Sequence, residues 1–193
     1  MSTDPLAPTG PGDPTKAVDF AAGTPQTRTA IMTTSYGPVE VHALHWPDEE
    51  PYVALRHLDQ VPLVRLRLQA QCVTSTAFAA QMCDCRRQIE AGVRLTATSP
   101  GTVFIYLPQE GRGHGLLSKV EVMAAMNTGL SLTAAQEAVG RPQSRLSYHR
   151  VPYILVHYLG HRTPVVLITE STEKIRAARA AGIKILRTEG LPP

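Results

Sequence analysis

The cysteines of the chain are clustered. Cys72, Cys83 and Cys85 are its three cysteines, and all of them fall in one run, CVTSTAFAAQMCDC. Three thiolates at this spacing predict a site for one Zn²⁺ ion whose fourth position is left for water, the arrangement of a catalytic zinc. Water bound in this way can ionise near neutral pH. The spacing alone leaves open three unconnected, buried small side chains, because no Cys-x-x-Cys or paired His/Cys pattern is present.

A second run of chemical interest is QEGRGHG, residues 109–115. It lies between a predicted buried strand and a predicted helix, where glycines let the backbone approach a ligand and free N–H groups attract an anion. Arg112 would grip a phosphate group, and Lys174, at a later strand-to-helix junction, would be a second phosphate-binding cation. A plain tight turn, a solvated surface lysine and a loop role for His114 are the alternatives that these residues leave open.

Composition limits the class of protein. With 193 residues, 43% of them hydrophobic, the chain is long enough for one domain with a substantial core. No apolar run is long enough to span a bilayer, and the N-terminal residues lack the features of a secretory signal. The odd, clustered cysteines indicate the reducing cytoplasm. A net charge of only +3 with few aromatic residues argues against a nucleic acid polymer as partner, whereas the many arginines favour a small phosphorylated ligand.

The first residues of the chain differ in composition from the rest. Residues 1–24 are rich in Pro, Gly, Thr and Asp and have few large apolar side chains, so we predict a disordered tail. Residues 25–193 then form one domain. Strands come first and later alternate with helices, which predicts a mixed α/β (α+β) fold with a mixed sheet and flanking helices.

Four strands are predicted before the cysteines. Residues 27–45 are typical of two strands joined by a turn, and residues 51–58 are typical of a third. In the fourth strand, which leads directly into Cys72, Leu and Val alternate with Arg65 and Arg67 in the manner of a half-buried strand. The residues that separate the cysteines favour a short helical segment, which would fold the first cysteine back onto the others.

Helices and strands alternate after the cysteines. A helix is predicted directly after Cys85, and it is followed by TVFIYL, a continuous apolar run of the buried-strand type. Next come an amphipathic helix, LLSKVEVMAAMNTG, and a second short helical segment at residues 131–139. VPYILVHYLG is predicted to be a helix, TPVVLIT a strand, TEKIRAARAAG a helix and KILRT a last strand.

Three separated blocks of the sequence together resemble one family. They are the cysteine cluster, the QEGRG-G-LL-K block and the LIT…EKI…AGI-I ending, and in this order and spacing they resemble GTP cyclohydrolase II over residues 28–187. The resemblance implies a homodimeric α/β enzyme that uses Zn²⁺ and Mg²⁺. It further implies hydrolysis of the imidazole ring of GTP at C8, with release of formate and pyrophosphate, as the opening step of riboflavin synthesis.

The resemblance also implies roles for individual residues. Cys72, Cys83 and Cys85 match the family's zinc ligands. Arg145 matches the arginine assigned to attack the α-phosphorus of the nucleotide and displace pyrophosphate. The positions that match nucleotide contacts of the family are Arg67, Gln88, Glu110, Gly111, Arg112, Thr169 and Lys174.

The chain departs from the family pattern around the reacting base. Gln143 replaces a proton-accepting Asp, Met123 replaces a tyrosine, and Leu132 replaces a threonine unless Thr133 takes its place by a one-residue shift. Further departures replace a His-Ser-Glu run and a Gly-Asp pair, at Gln69, Ala70, Gln71, Ser75 and Thr76. The metal and phosphate contacts are retained, whereas acid–base and hydrogen-bonding groups are not.

Three hypotheses follow from this divergent membership. In the first, the chain is a zinc hydrolase that still opens the ring of a purine nucleoside triphosphate, GTP being the expected substrate, and stops at a formylated product because Met123 has no hydroxyl group. In the second, it is a nucleotide-binding homologue without cyclohydrolase activity. In the third, its substrate is altered, because residues 69–76 would contact the base.

Overall fold

The computed structural model describes residues 23–47, 49–141, 144–160 and 164–192. Most of the tail predicted for residues 1–24 lies outside these ranges. The described strands are β1 (Gln26–Thr34), β2 (Gly37–His45), β3 (Tyr52–Arg56), β4 (Arg65–Ala70), β5 (Thr102–Leu107), β6 (Val165–Ile168) and β7 (Ile185–Glu189). The described helices are α1 (Val73–Phe78), α2 (Cys85–Thr98), α3 (Gly115–Met126), α4 (Leu132–Ala138), α5 (Val151–Tyr153), which continues as a π-helical segment (Ile154–Tyr158), and α6 (Thr172–Ala180). None of these described helices has the length and apolar character needed to cross a membrane.

The seven described strands form one mixed sheet in the order β1-β2-β3-β5-β4-β6-β7. β1, β2, β3 and β5 pair antiparallel, beginning with a hairpin that turns at Ser35 and Tyr36. β5, β4, β6 and β7 pair in parallel. Parallel strands need long crossover connections, and these place α1 and α2 between β4 and β5 and α6 between β6 and β7. The predicted mixed α/β fold with flanking helices is therefore confirmed.

The two faces of the sheet differ in what covers them. One face carries the main core, in which Leu66, Ile105 and Leu167 are buried together with Val151 of α5 and Ala178 of α6. The opposite face carries a smaller core of apolar side chains that meets α2. Because burial of apolar surface is the main favourable term in folding, the first face contributes most of the stability.

The strand β4 is buried on both faces, so the prediction of a half-buried strand is wrong. Leu66 and Leu68 lie in the main core, whereas Arg67 is only 4% exposed and Gln69 only 3% exposed on the other face. The physical reason is position, since β4 lies between β5 and β6 near the centre of the sheet. The Arg67 guanidinium donates there to the Ile168 carbonyl oxygen at 3.0 Å and to two glutamine side chains.

The helix α3 forms where an amphipathic helix is predicted, but its apolar side chains do not share one buried face. Leu117 is 85% exposed and Val120 is 49% exposed, whereas Met123 borders a cavity. Ser118 is the buried residue of this helix. The helix is confirmed, and the amphipathic pattern is wrong because α3 borders a cavity rather than the main core.

Gly92 allows α2 to approach the sheet closely. A Cβ atom added at Gly92 would lie 2.4 Å from Cε2 of Phe104, which is only 2% exposed and has little room to move. We expect Gly92→Ala to destabilise the protein by about 1–3 kcal/mol, the usual effect of overpacking, although alanine is the better helix former by about 1 kcal/mol. Urea unfolding measures the change, and adding Phe104→Leu should recover part of the loss. A single variant as stable as the wild type would contradict this contact.

Candidate active site

Three segments that follow parallel strands meet at one edge of the sheet. β4 leads into Cys72, β5 into Glu110 and β6 into Lys174. The carboxyl ends of parallel strands lie at the same edge, where α/β proteins commonly bind their ligands. Beyond the end of β4, Gln71 N still donates to the Leu107 carbonyl oxygen at 2.9 Å and holds the first two segments side by side. The chemistry-bearing residues therefore gather at this edge.

The three cysteines converge here. Cys72 precedes the short helix α1, which ends where Ala79 adopts a left-handed conformation with φ of 53°, and the chain then returns to place Cys83 and Cys85 at the start of α2. The Sγ atoms of Cys72 and Cys83 are 3.6 Å apart, and the three Sγ atoms all lie within 4.8 Å of one another. Sulfurs bound tetrahedrally to one zinc ion would be about 3.8 Å apart. The cluster therefore fits a zinc ion.

Ser75 and Thr76 hold the turn between the cysteines. The Thr76 hydroxyl donates to the Cys72 carbonyl oxygen at 2.8 Å, and the buried Ser75 hydroxyl accepts from Arg86 N at 3.1 Å. The second bond satisfies one of the N–H groups that every helix leaves unpaired in its first turn. Both side chains therefore have a structural role beside the sulfurs.

Lys119 of α3 contacts the sulfur cluster, although sequence reasoning gave it no role. Its Nζ donates to Cys72 Sγ at 2.9 Å and to Glu110 Oε1 at 2.9 Å. Burial alone would raise the pKa of the Cys72 thiol, but the Lys119 ammonium, the Ser75 N–H and the neighbouring sulfurs hold that pKa below its usual value. The sequence signal for this contact was the lysine that closes the QEGRG-G-LL-K block.

The glycine-rich loop turns tightly after β5. Gly111 and Arg112 both have left-handed backbone angles, with φ of 60° and 58°; for Arg112 this conformation costs roughly 1 kcal/mol. A Cβ atom at Gly113 would lie 2.7 Å from the Arg145 carbonyl oxygen, and Arg145 N donates to the Arg112 carbonyl oxygen at 2.9 Å. The absence of a side chain at Gly113 therefore lets the loop pack closely against the backbone of Arg145. The Arg145 side chain is exposed and borders neither of the two cavities at this edge.

Two cavities adjoin at the edge. The first, of about 310 Å³, is bordered by the three cysteines and by apolar side chains of α3, and also by charged side chains: Arg112, Lys119, Arg141, Lys174, Glu110 and Glu173. The second, of about 660 Å³, is bordered by the cations Arg67, Arg87 and Lys174. Gln88, Ser171 and Lys174 border both. A ligand whose planar part packs against the apolar side chains of α3 and whose other part is anionic could therefore span the two cavities.

Most of the predicted nucleotide contacts border one of these cavities. Glu110, Gly111 and Arg112 border the first cavity together with the cysteines. Arg67 and Thr169 border the second cavity. The two remaining predicted contacts, Gln88 and Lys174, border both cavities. The structure therefore brings together every predicted site residue except the side chain of Arg145.

One family model matches most of the chain. The model for GTP cyclohydrolase II matches residues 25–190. The chain belongs to the GTP cyclohydrolase II family. A relative named GTP cyclohydrolase-2 from Neisseria meningitidis serogroup B is 31% identical over 158 residues, which cover 80% of this chain and 79% of that protein. GTP cyclohydrolase-2 of Azotobacter vinelandii is 36% identical over 126 residues, which cover 65% of this chain and 59% of that protein.

The GTP cyclohydrolase II family predicted from three sequence blocks is thereby confirmed, and with it a class of hydrolases that process GTP. A further relative, from Staphylococcus saprophyticus, is named as a riboflavin biosynthesis protein; it is 29% identical over 81% of this chain and 39% of that protein. A solved two-domain 3,4-dihydroxy-2-butanone 4-phosphate synthase from A. baumannii covers 90% of this chain and 41% of that chain, with a TM-score of 0.42 and 12% identity. A likeness at that level carries no conclusion.

Five of the residues that depart from the GTP cyclohydrolase II pattern border the first cavity and form its altered wall. The departing residues that border the first cavity are Gln69, Ala70, Gln71, Met123 and Leu132. Gln69 is also buried and accepts from Arg67 Nη2 at 2.8 Å, so part of its role is structural. Gln143 lies outside the described residues. The altered wall therefore belongs to the cavity beside the sulfurs, and the cationic cavity keeps its predicted contacts.

Lys174 carries its charge in a partly buried position. Burial first, and then the positive charge of Arg67, lower the pKa of the Lys174 ammonium to about 8 from an ordinary value of 10.5. In the window between these two values the unfolded state binds more protons than the folded state. The free energy of unfolding therefore rises with pH through that window. This gain is lost as the pH falls through about 8, where Lys174 is charged in the folded state.

We expect Lys174→Met to stabilise the protein below pH 8 by roughly 1–3 kcal/mol, because it removes a charge that burial disfavours. The stability difference between this variant and the wild type should narrow as the pH rises from about 8 to about 10.5. Urea unfolding at a series of pH values measures the difference, and Lys184→Met, which removes an exposed lysine, is the matched control. A difference that stays constant across the window would contradict the lowered pKa.

Proposed function

We propose that this member of the GTP cyclohydrolase II family is a zinc-dependent hydrolase that opens the imidazole ring of a purine nucleoside triphosphate, GTP being the expected substrate. One observation carries the proposal. The three sulfurs border a cavity that shares Gln88, Ser171 and Lys174 with a second, cationic cavity. A base and its triphosphate call for two such compartments, one with apolar side chains beside the sulfurs and one with cations for the phosphates.

The two halves of the nucleotide suit the two cavities. The purine would lie in the first cavity, with C8 directed at the sulfurs and one ring face against apolar side chains of α3. The triphosphate and its Mg²⁺ would lie in the second cavity, where Arg67 and Lys174 supply positive charge and Thr169 supplies a hydroxyl group. Gln88 borders both cavities and would contact the region between base and phosphates.

Cys72, Cys83 and Cys85 would hold the zinc ion, and three sulfur ligands leave one of its four positions open. A zinc ion held there would polarise water and the reacting ring. In the net reaction one water molecule adds across the C8–N9 bond, which breaks to leave a formylamino group. A second water molecule then releases that group as formate. The residues of the chain orient the base, hold the phosphates and limit the access of bulk water.

Release of pyrophosphate needs a group that reaches the α-phosphorus. We assign Arg145 to this step because of the family resemblance and because its backbone is hydrogen bonded to Arg112, which borders the first cavity; that cavity adjoins the proposed phosphate site at Lys174. Attack by a guanidinium nitrogen would form a nitrogen–phosphorus bond, break the bond to the bridging oxygen and release pyrophosphate, with one proton passing from the guanidinium to solvent. A water molecule would then break the nitrogen–phosphorus bond, which restores the free arginine and leaves a nucleoside monophosphate. The exposed Arg145 side chain would have to turn toward the nucleotide for this reaction.

The altered wall of the first cavity supports a shortened reaction. Met123 and Leu132 border this cavity at positions where the family pattern has hydroxyl groups. Neither side chain can donate or accept a proton. We therefore infer that release of formate is slow and that a formylated product accumulates.

A second candidate function is nucleotide binding without cyclohydrolase activity. The state of Glu110 favours it, because its carboxylate already accepts from Val73 N, Gly111 N and Lys119 Nζ. Three donors already occupy the two oxygens of this carboxylate, so Glu110 is poorly placed to accept a proton from water or substrate. Among the described residues that border the first cavity, Glu173 is the other carboxylate. Loss of a general base typically lowers the rate by about 10²–10⁴.

We also propose that the protein works as a homodimer in the cytoplasm. Leu116, Leu117 and Val120 expose apolar surface on α3, the helix that borders the first cavity, and a second copy of the chain would cover it. A reducing compartment would keep the three cysteines free to bind metal.

The zinc-loaded protein, incubated with Mg²⁺ and GTP, is expected to change the ultraviolet absorbance of the purine and to release pyrophosphate. Cys83→Ser removes one sulfur of the cluster, and we expect it to form no detectable product because two sulfurs hold the ion poorly. Absorbance, pyrophosphate and product masses are the measurements. A panel of other nucleoside triphosphates in the same assay tests an altered substrate.

The outcomes separate the two candidate functions. GTP binding by calorimetry that survives Cys83→Ser, with no product from either protein, would identify a nucleotide-binding homologue. Absence of both binding and product with every nucleoside triphosphate would contradict the two candidates together.

Met123→Tyr returns a hydroxyl group to the altered wall. We expect this variant to raise the rate of formate release from the formylated product by about 10²-fold, the lower end of what a positioned acid–base group contributes. Mass spectrometry of the products gives the ratio of formylated to formate-free compound. Met126→Tyr places the same side chain elsewhere on the wall of the same cavity and is the matched control. Complete formate release by the wild type, or an unchanged ratio in Met123→Tyr, would refute this role.

A further inference from the structure

Lys119 joins the sulfur cluster to the loop that follows β5. Its Nζ lies 2.9 Å from Cys72 Sγ and 2.9 Å from Glu110 Oε1, and its side chain is 19% exposed. A lysine side chain normally extends into water, because ordering its long stem is unfavourable. The ordered position of the Lys119 side chain between a sulfur and a carboxylate therefore indicates a specific interaction.

Glu110 completes a closed ring of contacts. Its Oε2 accepts from Val73 N at 2.6 Å, and Val73 directly follows Cys72. Its Oε1 accepts from Lys119 Nζ and, at 3.0 Å, from Gly111 N. The ring thus runs from Cys72 through its neighbour in the chain to Glu110, then to Lys119 and back to the sulfur. It fixes the first cysteine relative to the glycine-rich loop from two sides.

The charge of the cluster gives this contact a function. A divalent ion with three thiolates carries one net negative charge, and a negative charge that is shielded from water is unfavourable without a cation or hydrogen-bond donors. The Lys119 ammonium supplies both at Cys72, the buried member of the three. Partners of this kind orient metal ligands and tune the electron density that the ligands donate.

We propose that Lys119 is a positioning residue of the metal site, whose ammonium orients the Cys72 thiolate, offsets the charge of the three sulfurs and draws electron density from the Cys72 sulfur. The proposal rests on the metal-binding part of the proposed function and not on the reaction or the substrate. Glu110 serves the same arrangement by holding the Lys119 ammonium in place.

Cobalt(II) bound in place of zinc would allow the contact between Lys119 and Cys72 to be detected by absorption spectroscopy. Thiolates bound to cobalt give charge-transfer absorption, and a hydrogen bond to sulfur moves that band to shorter wavelength because it stabilises the sulfur lone pairs. We expect Lys119→Met to move the band to longer wavelength and to lower the metal affinity, measured by competition with a chelator, by about 10- to 100-fold. Lys184→Met removes an exposed lysine by the same substitution, and we expect it to change neither the position of the absorption band nor the metal affinity.

Two further comparisons make the test decisive. Lys119→Leu is a second neutral replacement that cannot donate a hydrogen bond, for use if the methionine variant does not fold, and the same shifts are expected of it. Wild-type metal affinity and band position in a folded Lys119 variant would overturn the positioning role while leaving the proposed function intact. A wild-type protein that gives no thiolate-to-cobalt absorption would overturn both.

Discussion

Hydrogen bonding among three adjacent parallel strands determines where the chemistry of this protein lies. β5, β4 and β6 are neighbours in the sheet, and each leads at its carboxyl end into one part of the site: the glycine-rich loop, the sulfur cluster and the start of α6. The side-chain period of a strand is two, so a shift of one residue in the pairing of β4 would turn Arg67 and Gln69 into the main core. The same shift would move the first cysteine relative to Glu110. The site therefore depends on the register of these strands.

Local signals in the sequence were sufficient for most of the fold. The apolar run TVFIYL formed the buried strand β5, and TEKIRAARAAG formed α6, which ends just before Gly182 with φ of 83°. The cysteine spacing predicted a metal cluster, and the structure places the three Sγ atoms within 4.8 Å of one another. These features could be predicted because each depends on residues that lie close together in the chain.

The features that sequence reasoning missed depend on residues distant in the chain. Arg67 alternates with leucines as a surface residue would, and only the placement of β4 between two other strands buries it. Lys119 reaches Cys72 across 47 positions of sequence, a contact that no local pattern encodes. The face that α3 presents depends on the cavity beside it, so helical periodicity predicted the helix and not its surroundings.

Arg67 and Lys174 place two like charges close together at the edge of the sheet. Arg67 donates to one carbonyl and two amide oxygens, and among the described residues no carboxylate forms an ion pair with it. Burial first, and then repulsion from Arg67, lower the pKa of the Lys174 ammonium. An anion that binds beside both would relieve that repulsion and would stabilise the folded state. When such an anion is scarce, a larger fraction of the protein would be unfolded and open to proteases. The lifetime of the protein would then depend on the supply of its ligand.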